Sequence, residues 1–395
     1  LPGVAERWKF IAPTLEKAPF LKFIPMIGSM GCPYTCAFCI DSVVPYQPLD
    51  FQVMKSDLQF LLTKFRKPLV AWHDPNFGIR FEENMEAIAS AAPLKSFQFM
   101  AESSLSILTE KHLKVLQQHN FLAMLPGIES WYDMGNKSRA SNIKGQDRVN
   151  QISEQVNMVL RYVPYIQTNF VLGLDCDSGS DPFELTKMFV DQSPGAFPGY
   201  SLLTAFGEAA PLNLEYQEGG RVLPFPFHFL NNHLAMNLKP RNYEWVDFYD
   251  KVIDLTEYTF SAKAIYRRLK ATPNFTSRWM NFMRAISNEG HGRLRFYRKV
   301  RNMLVNDRSV MQYFEGESQQ LPKFYKDIIE KDLGAWAQWL PKGAMEHNPN
   351  AYLEKTRQKT LAHDHPTISL PRHRTTKLQS NAPADARNQV AAKQG

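Results

Sequence analysis

Residues 31–39 read Gly31-Cys32-Pro33-Tyr34-Thr35-Cys36-Ala37-Phe38-Cys39, a Cys-x3-Cys-x2-Cys spacing that follows the apolar run 23–27. Three of the four cysteines of this 395-residue chain therefore fall on one short loop behind a strand candidate. Three thiolates so close together repel one another and are reactive when free, and a soft metal centre is the natural way to hold them. Iron–sulfur clusters take cysteine thiolates, normally four. A structural zinc site would need a fourth Cys or His nearby, which the loop does not carry. A disulfide with a spare thiol is the third reading, and four cysteines in a chain this long do not form a secreted disulfide framework.

Outward from this loop, short apolar runs alternate with amphipathic stretches. Strands are expected at 23–27, 69–72, 96–100, 121–125, 165–172 and 200–205, with helices at 53–65, 82–92, 106–119, 147–161 and 182–192. Asp181 is the expected N-cap of the last helix, with Pro182 at its first turn. Repeated βα units of this kind build an α/β fold, here a partial (β/α)6 TIM-type barrel over residues 21–206, in which chemistry sits where the strands end. Beyond it, 207–243 is rich in Pro, Gly and Asn, and the region 207–340 as a whole is expected to be mainly helical. Residues 341–395 have the composition of a solvated, disordered tail. Residues 1–20 are expected to be the end of a linker from an upstream domain.

The formal charge of +7 is local. Residues 261–310 hold 12 Lys/Arg against Glu289 and Asp307, and residues 351–395 hold 8 against 3 acids, which leaves −8 for the rest of the chain. In 261–301, cations interleave with Tyr266, Trp279, Phe282, Phe296 and Tyr297, a pattern open to RNA binding. Leu269, Met283 and Ile286 complete the spacing of amphipathic helices with a basic outer face, which is the favoured reading. At 44% hydrophobic the chain can bury a core, and it has no apolar run of membrane-spanning length. A cytoplasmic protein with no membrane partner is expected.

The cysteine spacing, the aromatic Phe38 before the third cysteine, and the position after the first strand together resemble the radical S-adenosylmethionine (radical SAM) superfamily. That resemblance implies that Cys32, Cys36 and Cys39 hold three irons of a [4Fe-4S] cluster. The fourth iron would be left for the amino and carboxylate groups of SAM, and an electron donor such as flavodoxin or ferredoxin would start SAM cleavage. It further implies that the segment His73-Asp74-Pro75-Asn76 after the second strand serves the SAM amino group, with Pro75 departing from the usual acidic residue there. Gly127-Ile128-Glu129-Ser130 after the fourth strand resembles a motif of the cobalamin-associated branch, and Glu129 and Ser130 would reach the ribose; a helix cap by Ser130 is the structural alternative. Asn169, Gly173 and Leu174 on the fifth strand resemble the segment beside adenine, with a plain bulge at Gly173 as the other reading. Phe38 is placed with the SAM-binding residues, and Tyr34 and Trp72 would shape the walls. Cys176, at the rim after the fifth strand, is a candidate hydrogen donor or redox ligand, and His73 a candidate acid or base.

Within that branch methyl transfer to an unactivated carbon leads, with a cobalamin-independent oxidation or rearrangement as the alternative. Cobalamin, where used, would be bound by a domain outside this chain, because no Asp-x-His-x-x-Gly signature occurs in it. A noncatalytic metal-cluster protein that binds RNA is the competing class. The substrate is not legible.

Overall fold

Six parallel strands form the central sheet of the computed structural model, which describes residues 1–18, 22–34, 36–132, 143–205, 210, 212–230, 233–272, 274–351 and 353–354. They are β1 (Phe23–Met26), β2 (Leu69–Trp72), β3 (Gln98–Glu102), β4 (Phe121–Leu125), β5 (Tyr165–Leu172) and β6 (Phe197–Leu202). Each pairs only with its neighbours in chain order. Each is followed by a helix: Phe51–Lys64, Phe81–Ala91, Glu110–Gln118, Gly145–Leu160, Asp181–Gln192 and Leu212–Glu218 in turn. A sheet that never reverses its winding direction has no topological switch point and curls instead, so this is the layout of a partial (β/α)6 barrel.

The pattern within β5 shows why these residues make strands. Thr168, Phe170 and Leu172 are buried against the outer helices, while Gln167, Asn169 and Val171 alternate with them at half exposure. That period of two gives a greasy outer face and a polar inner one. After β4, Pro126 interrupts the ladder because it has no N–H to give, and Gly127–Glu129 resumes the pairing with β5.

Two strand positions differ from expectation. β3 begins at Gln98 because Ser96 closes a turn, its amide and hydroxyl both donating to the Pro93 carbonyl. β6 begins at Phe197 because Pro198 and Gly199, which read as turn residues, pair in register with Thr168 and Asn169. Ala205 lies beyond the strand, its amide and carbonyl both held by the side chain of Asn237. Among the helices, 106–119 resolves into a short 3-10 turn, Leu105–Ile107, then Thr109 as the cap of Glu110–Gln118. Ser180 occupies the cap position expected for Asp181, whose carboxylate instead accepts the Tyr132 hydroxyl at 2.7 Å.

The region after the barrel is helical, as expected. The helices Trp245–Thr259 and Arg293–Asn306 pack on each other, and the former also lies on Asp181–Gln192. Phe225 sits edge-on to Tyr313, Phe314 and Tyr325, with centroids 5.1–5.5 Å away. Buried aromatic edges of this kind add to area burial. Residues 1–354 form one compact unit. Of the expected tail 341–395, residues 355–395 lie outside the described residues.

Residues 4–17, expected as linker, are the helix Val4–Lys17. Its first amides are satisfied by a residue of another helix: buried Asp57 accepts Val4 N at 2.6 Å and Ala5 N at 3.0 Å. A buried carboxylate with two amide donors caps a helix across the fold. Asp57→Ala leaves both amides without a partner, and we expect a loss of about 1–3 kcal/mol in urea unfolding; an unchanged midpoint would show that this cap does not hold the helix.

Candidate functional site

The cysteine loop is hung from the end of β1 by two devices. The buried carboxylate of Asp74, just past β2, accepts Gly28 N at 2.6 Å and Ser29 N at 2.8 Å. Burial pushes its pKa up and the two amides pull it back. A two-residue antiparallel ladder, Ser29–Met30 with Gln47–Pro48, then closes the neck of the loop.

Inside the neck, Gly31 takes φ +68°, and a Cβ there would stand 2.3 Å from the Val44 carbonyl oxygen, so only glycine fits. Cys32 N donates to Asp41 O, Cys39 N to Cys36 O, and Leu212 N, from the first helix after the barrel, to Ala37 O. Cys36 is buried, while Cys32, Phe38 and Cys39 are half-buried and Tyr34 is exposed. Thr35 lies outside the described residues.

None of the four cysteines is in a disulfide. Among the described residues no three His, Cys, Asp or Glu side chains converge closely enough to hold a metal ion, so the three thiols share a loop without forming a ready-made ligand set. By donor chemistry they fit an iron–sulfur cluster better than zinc: three soft ligands and no fourth in the loop.

At the end of β2 the expected SAM-facing polar groups turn inward to protein. Asp74 is committed to the two amides. Asn76 accepts from Ser103 Oγ, Ser104 N and Gly78 N at 3.2–3.3 Å and donates to Ser104 Oγ at 2.8 Å, locking the end of β2 to the end of β3. Pro75 is half-buried, and His73 is exposed with its amide bound to Met26 O.

At the end of β4, Glu129 has φ +67°, a left-handed conformation that few non-glycine residues adopt, where the register with β5 slips. The Ser130 hydroxyl accepts Tyr132 N at 3.0 Å and lies 3.6 Å from the sulfur of Cys176; whether it caps a helix falls on residues 133–142, outside the described residues.

At the end of β5, Gly173 has φ +87°, and the space where a Cβ would stand is filled by Met236 and Phe248, 2.9 and 3.0 Å away. Its need for glycine is thus met by packing from the helical region. Leu174 is buried and its amide donates to Asp177. Asn169 holds the inner face of β5, where Gln167 Nε2 donates to its Oδ1 at 2.6 Å. Strand register places Gly199 beside Asn169 and Ser201 beside Val171 on that face.

Several residues at this mouth were not singled out from the sequence. Asp177 is buried, and loss of hydration raises its pKa to about 7. Cys176, exposed beside it, has its thiol pKa pushed up, first by partial burial and then by the Asp177 charge, so it stays protonated. Arg221 grips Asp175 with two hydrogen bonds of 2.7 Å, and Asn242 donates to the carbonyls of Asp175 and Asp177. Both come from the Pro/Gly/Asn-rich stretch, and the Asp-Cys-Asp triplet was the one local signal that could have pointed to them.

No protein-family model matches the chain. The bacteriochlorophyllide d C-12(1)-methyltransferase of Chlorobaculum tepidum is 25% identical over 289 residues, 71% of this chain and 59% of that protein, so the chain spans about three fifths of its length. Among solved structures, the radical S-adenosylmethionine methyltransferase TsrM from Kitasatospora setae superposes with TM-score 0.42 at 12% identity, over 49% of this chain and 36% of that one. The cobalamin-dependent S-adenosylmethionine radical enzyme OxsB gives 0.40 at 13%, over 86% and 58%. Methylornithine synthase gives 0.38 at 15%, over 69% and 75%. These similarities are partial.

The buried Asp177 makes stability depend on pH. Unfolded, its carboxyl ionises near 3.8; folded, near 7. Its contribution is therefore full below pH 3.8 and is lost as pH rises to about 7. Asp177→Asn cannot ionise, and we expect it to remove that decline, gaining about 1–3 kcal/mol on the parent near pH 8 in urea unfolding. A parent and variant with parallel pH profiles would contradict the assignment.

Proposed function

We propose that the chain is a radical SAM enzyme in which Cys32, Cys36 and Cys39 hold three irons of a [4Fe-4S] cluster, and that its reaction is methyl transfer to an unactivated carbon. The observation that carries this reading is the three-thiol loop standing directly past the first of six parallel strands, at the end of the sheet where such folds place their chemistry. The methyl-transfer part draws its support from the Chlorobaculum tepidum methyltransferase, with which the chain shares 25% identity.

When bound, cluster and SAM would supply one-electron cleavage of a sulfur–carbon bond of SAM, giving methionine and a 5′-deoxyadenosyl radical. The chain's own residues would position that chemistry. Asp74 fixes the start of the loop against β2, and the Leu212 amide holds Ala37 between Cys36 and Cys39. Because Asp74 and Asn76 are occupied by protein partners, what remains for the amino group of SAM near β2 is backbone carbonyl and exposed His73. The inner face of β5 offers the side chains of Asn169 and Gln167, and the rim offers Glu129 and Ser130, as polar partners for hydroxyl groups. Cys176, kept as a neutral thiol, has an S–H bond at the same rim, so it could return a hydrogen atom to a carbon radical and be left as a thiyl radical. Cobalamin enters this reading only through a domain outside the chain.

Anaerobic reconstitution with iron and sulfide tests it. We expect a [4Fe-4S] absorption spectrum and release of 5′-deoxyadenosine from SAM that requires a reductant, with Cys36→Ala losing both. Bound zinc with no SAM cleavage would overturn the reading, and retention of both signals by the variant would show that the cluster sits elsewhere.

A further inference from the structure

The helix Phe275–Ile286 is amphipathic in the wrong sense for a globular surface. Its buried side is Ser277, Asn281 and Ala285, at intervals of four. Its solvent side carries Phe275, Trp279, Met283 and Ile286, which are 81%, 55%, 40% and 40% exposed. Water-facing positions on a helix are ordinarily polar, and an apolar ridge of this kind marks an interaction surface.

The orientation is fixed by polar contacts beneath the helix. Asn281 donates to Thr272 Oγ1, Arg278 Nε to the Thr272 carbonyl, and Arg284 to the Tyr165 hydroxyl while also pairing with Glu289. Rolling the ridge inward would break all of them. The preceding helix, Ala262–Ala271, adds exposed Tyr266 and the exposed cations Lys263 and Lys270, and Arg278 is exposed on the ridge helix itself. Neither helix contains an Asp or Glu.

We propose that this face docks on an anionic lipid surface, with the ridge of Phe275, Trp279, Met283 and Ile286 entering the headgroup region and Lys263, Lys270 and Arg278 facing the lipid phosphates. Twelve residues make a rod of about 18 Å, too short to cross a bilayer core of about 30 Å, so the helix lies in the plane of the interface. This agrees with the finding that no described helix is long and apolar enough to span a membrane. The expectation of no membrane partner rested on the lack of a spanning segment, and the proposal departs from it.

The charge pattern selects this occupant over others. A second copy packed face to face would set Lys263, Lys270 and Arg278 against the same cations, since the acids beside these helices, Asp191 and Glu289, are already paired with Arg267 and Arg284. RNA would engage the cations and stack on Phe275 and Trp279, but it gives Met283 and Ile286 nothing to stack against. A lipid surface uses both aromatic and aliphatic side chains together with the cations. Arg284 meets Tyr165 at the first residue of β5, and Arg268 donates to the Ala196 carbonyl just before β6. The docking face is therefore at the N-terminal ends of the strands, the opposite end from the cysteine loop, and does not depend on the proposed chemistry.

The test is co-sedimentation of the full chain with vesicles of pure phosphatidylcholine and of equimolar phosphatidylcholine and phosphatidylserine. We expect pelleting with the anionic vesicles only, reversed by high salt. The variant Phe275→Ser/Trp279→Ser should partition at least about tenfold more weakly, and Lys263→Glu/Lys270→Glu should also weaken it, each with an unchanged melting temperature because the residues are exposed. No pelleting with anionic vesicles, or variants that pellet like the parent, would overturn the proposal. So would salt-sensitive binding of single-stranded RNA, or a dimer in sedimentation velocity that Phe275→Ser/Trp279→Ser dissolves, where vesicle binding is absent.

Discussion

The carboxylate of Asp74 is the point from which the working end of the molecule is built. Buried at the top of β2, it gives up its hydration and recovers the loss through the amides of Gly28 and Ser29. That pair of bonds fixes where the chain leaves β1, and the ladder of Ser29–Met30 with Gln47–Pro48 carries the constraint to the neck of the cysteine loop. Asn76 extends it sideways to β3 through Ser103 and Ser104. The neck is thereby fixed against the sheet, and the Leu212 amide ties Ala37, between Cys36 and Cys39, to the first helix after the barrel.

The barrel was largely legible because alternation is a strong signal wherever one strand face is greasy and the other polar, as in β5. It failed where composition misleads. Pro198-Gly199 has the look of a turn yet pairs as strand, since β6 is at the edge of the sheet and its Pro needs no ladder partner on the open side. The cysteines and the strand-end segments could be found from spacing and order. What Asp74, Asn76 and Gly173 do there could not, because their partners, Gly28, Ser104, Met236 and Phe248 among them, are tens of residues distant or in another region of the chain. Asp177 and Arg221 were missed for the same reason: the bond that matters joins the loop after β5 to a stretch that reads only as irregular.

The region after β6, mostly its irregular stretch, completes the barrel instead of merely following it. Met236 and Phe248 fill the space beside Gly173, Asn237 holds Ala205 past the end of β6, and Arg221 and Asn242 clamp the loop that carries Cys176. The periodicity of the basic segment correctly announced helices, but the expected basic outer face is wrong for Phe275–Ile286, where Trp279, Met283 and Ile286 are exposed. Hydrogen bonds from Asn281 and Arg284 decide which side faces in, and they turn the polar side toward the protein.

The central claim is that the three-thiol loop holds a [4Fe-4S] cluster with one iron open to SAM. Electron paramagnetic resonance of the reduced, reconstituted protein, recorded before and after adding SAM, tests it most directly. The account predicts the signal of a reduced [4Fe-4S] cluster whose g values shift on adding SAM, because the amino and carboxylate groups bind the open iron. A cluster signal that SAM leaves unchanged, or no cluster signal at all from protein that is fully folded, would contradict it.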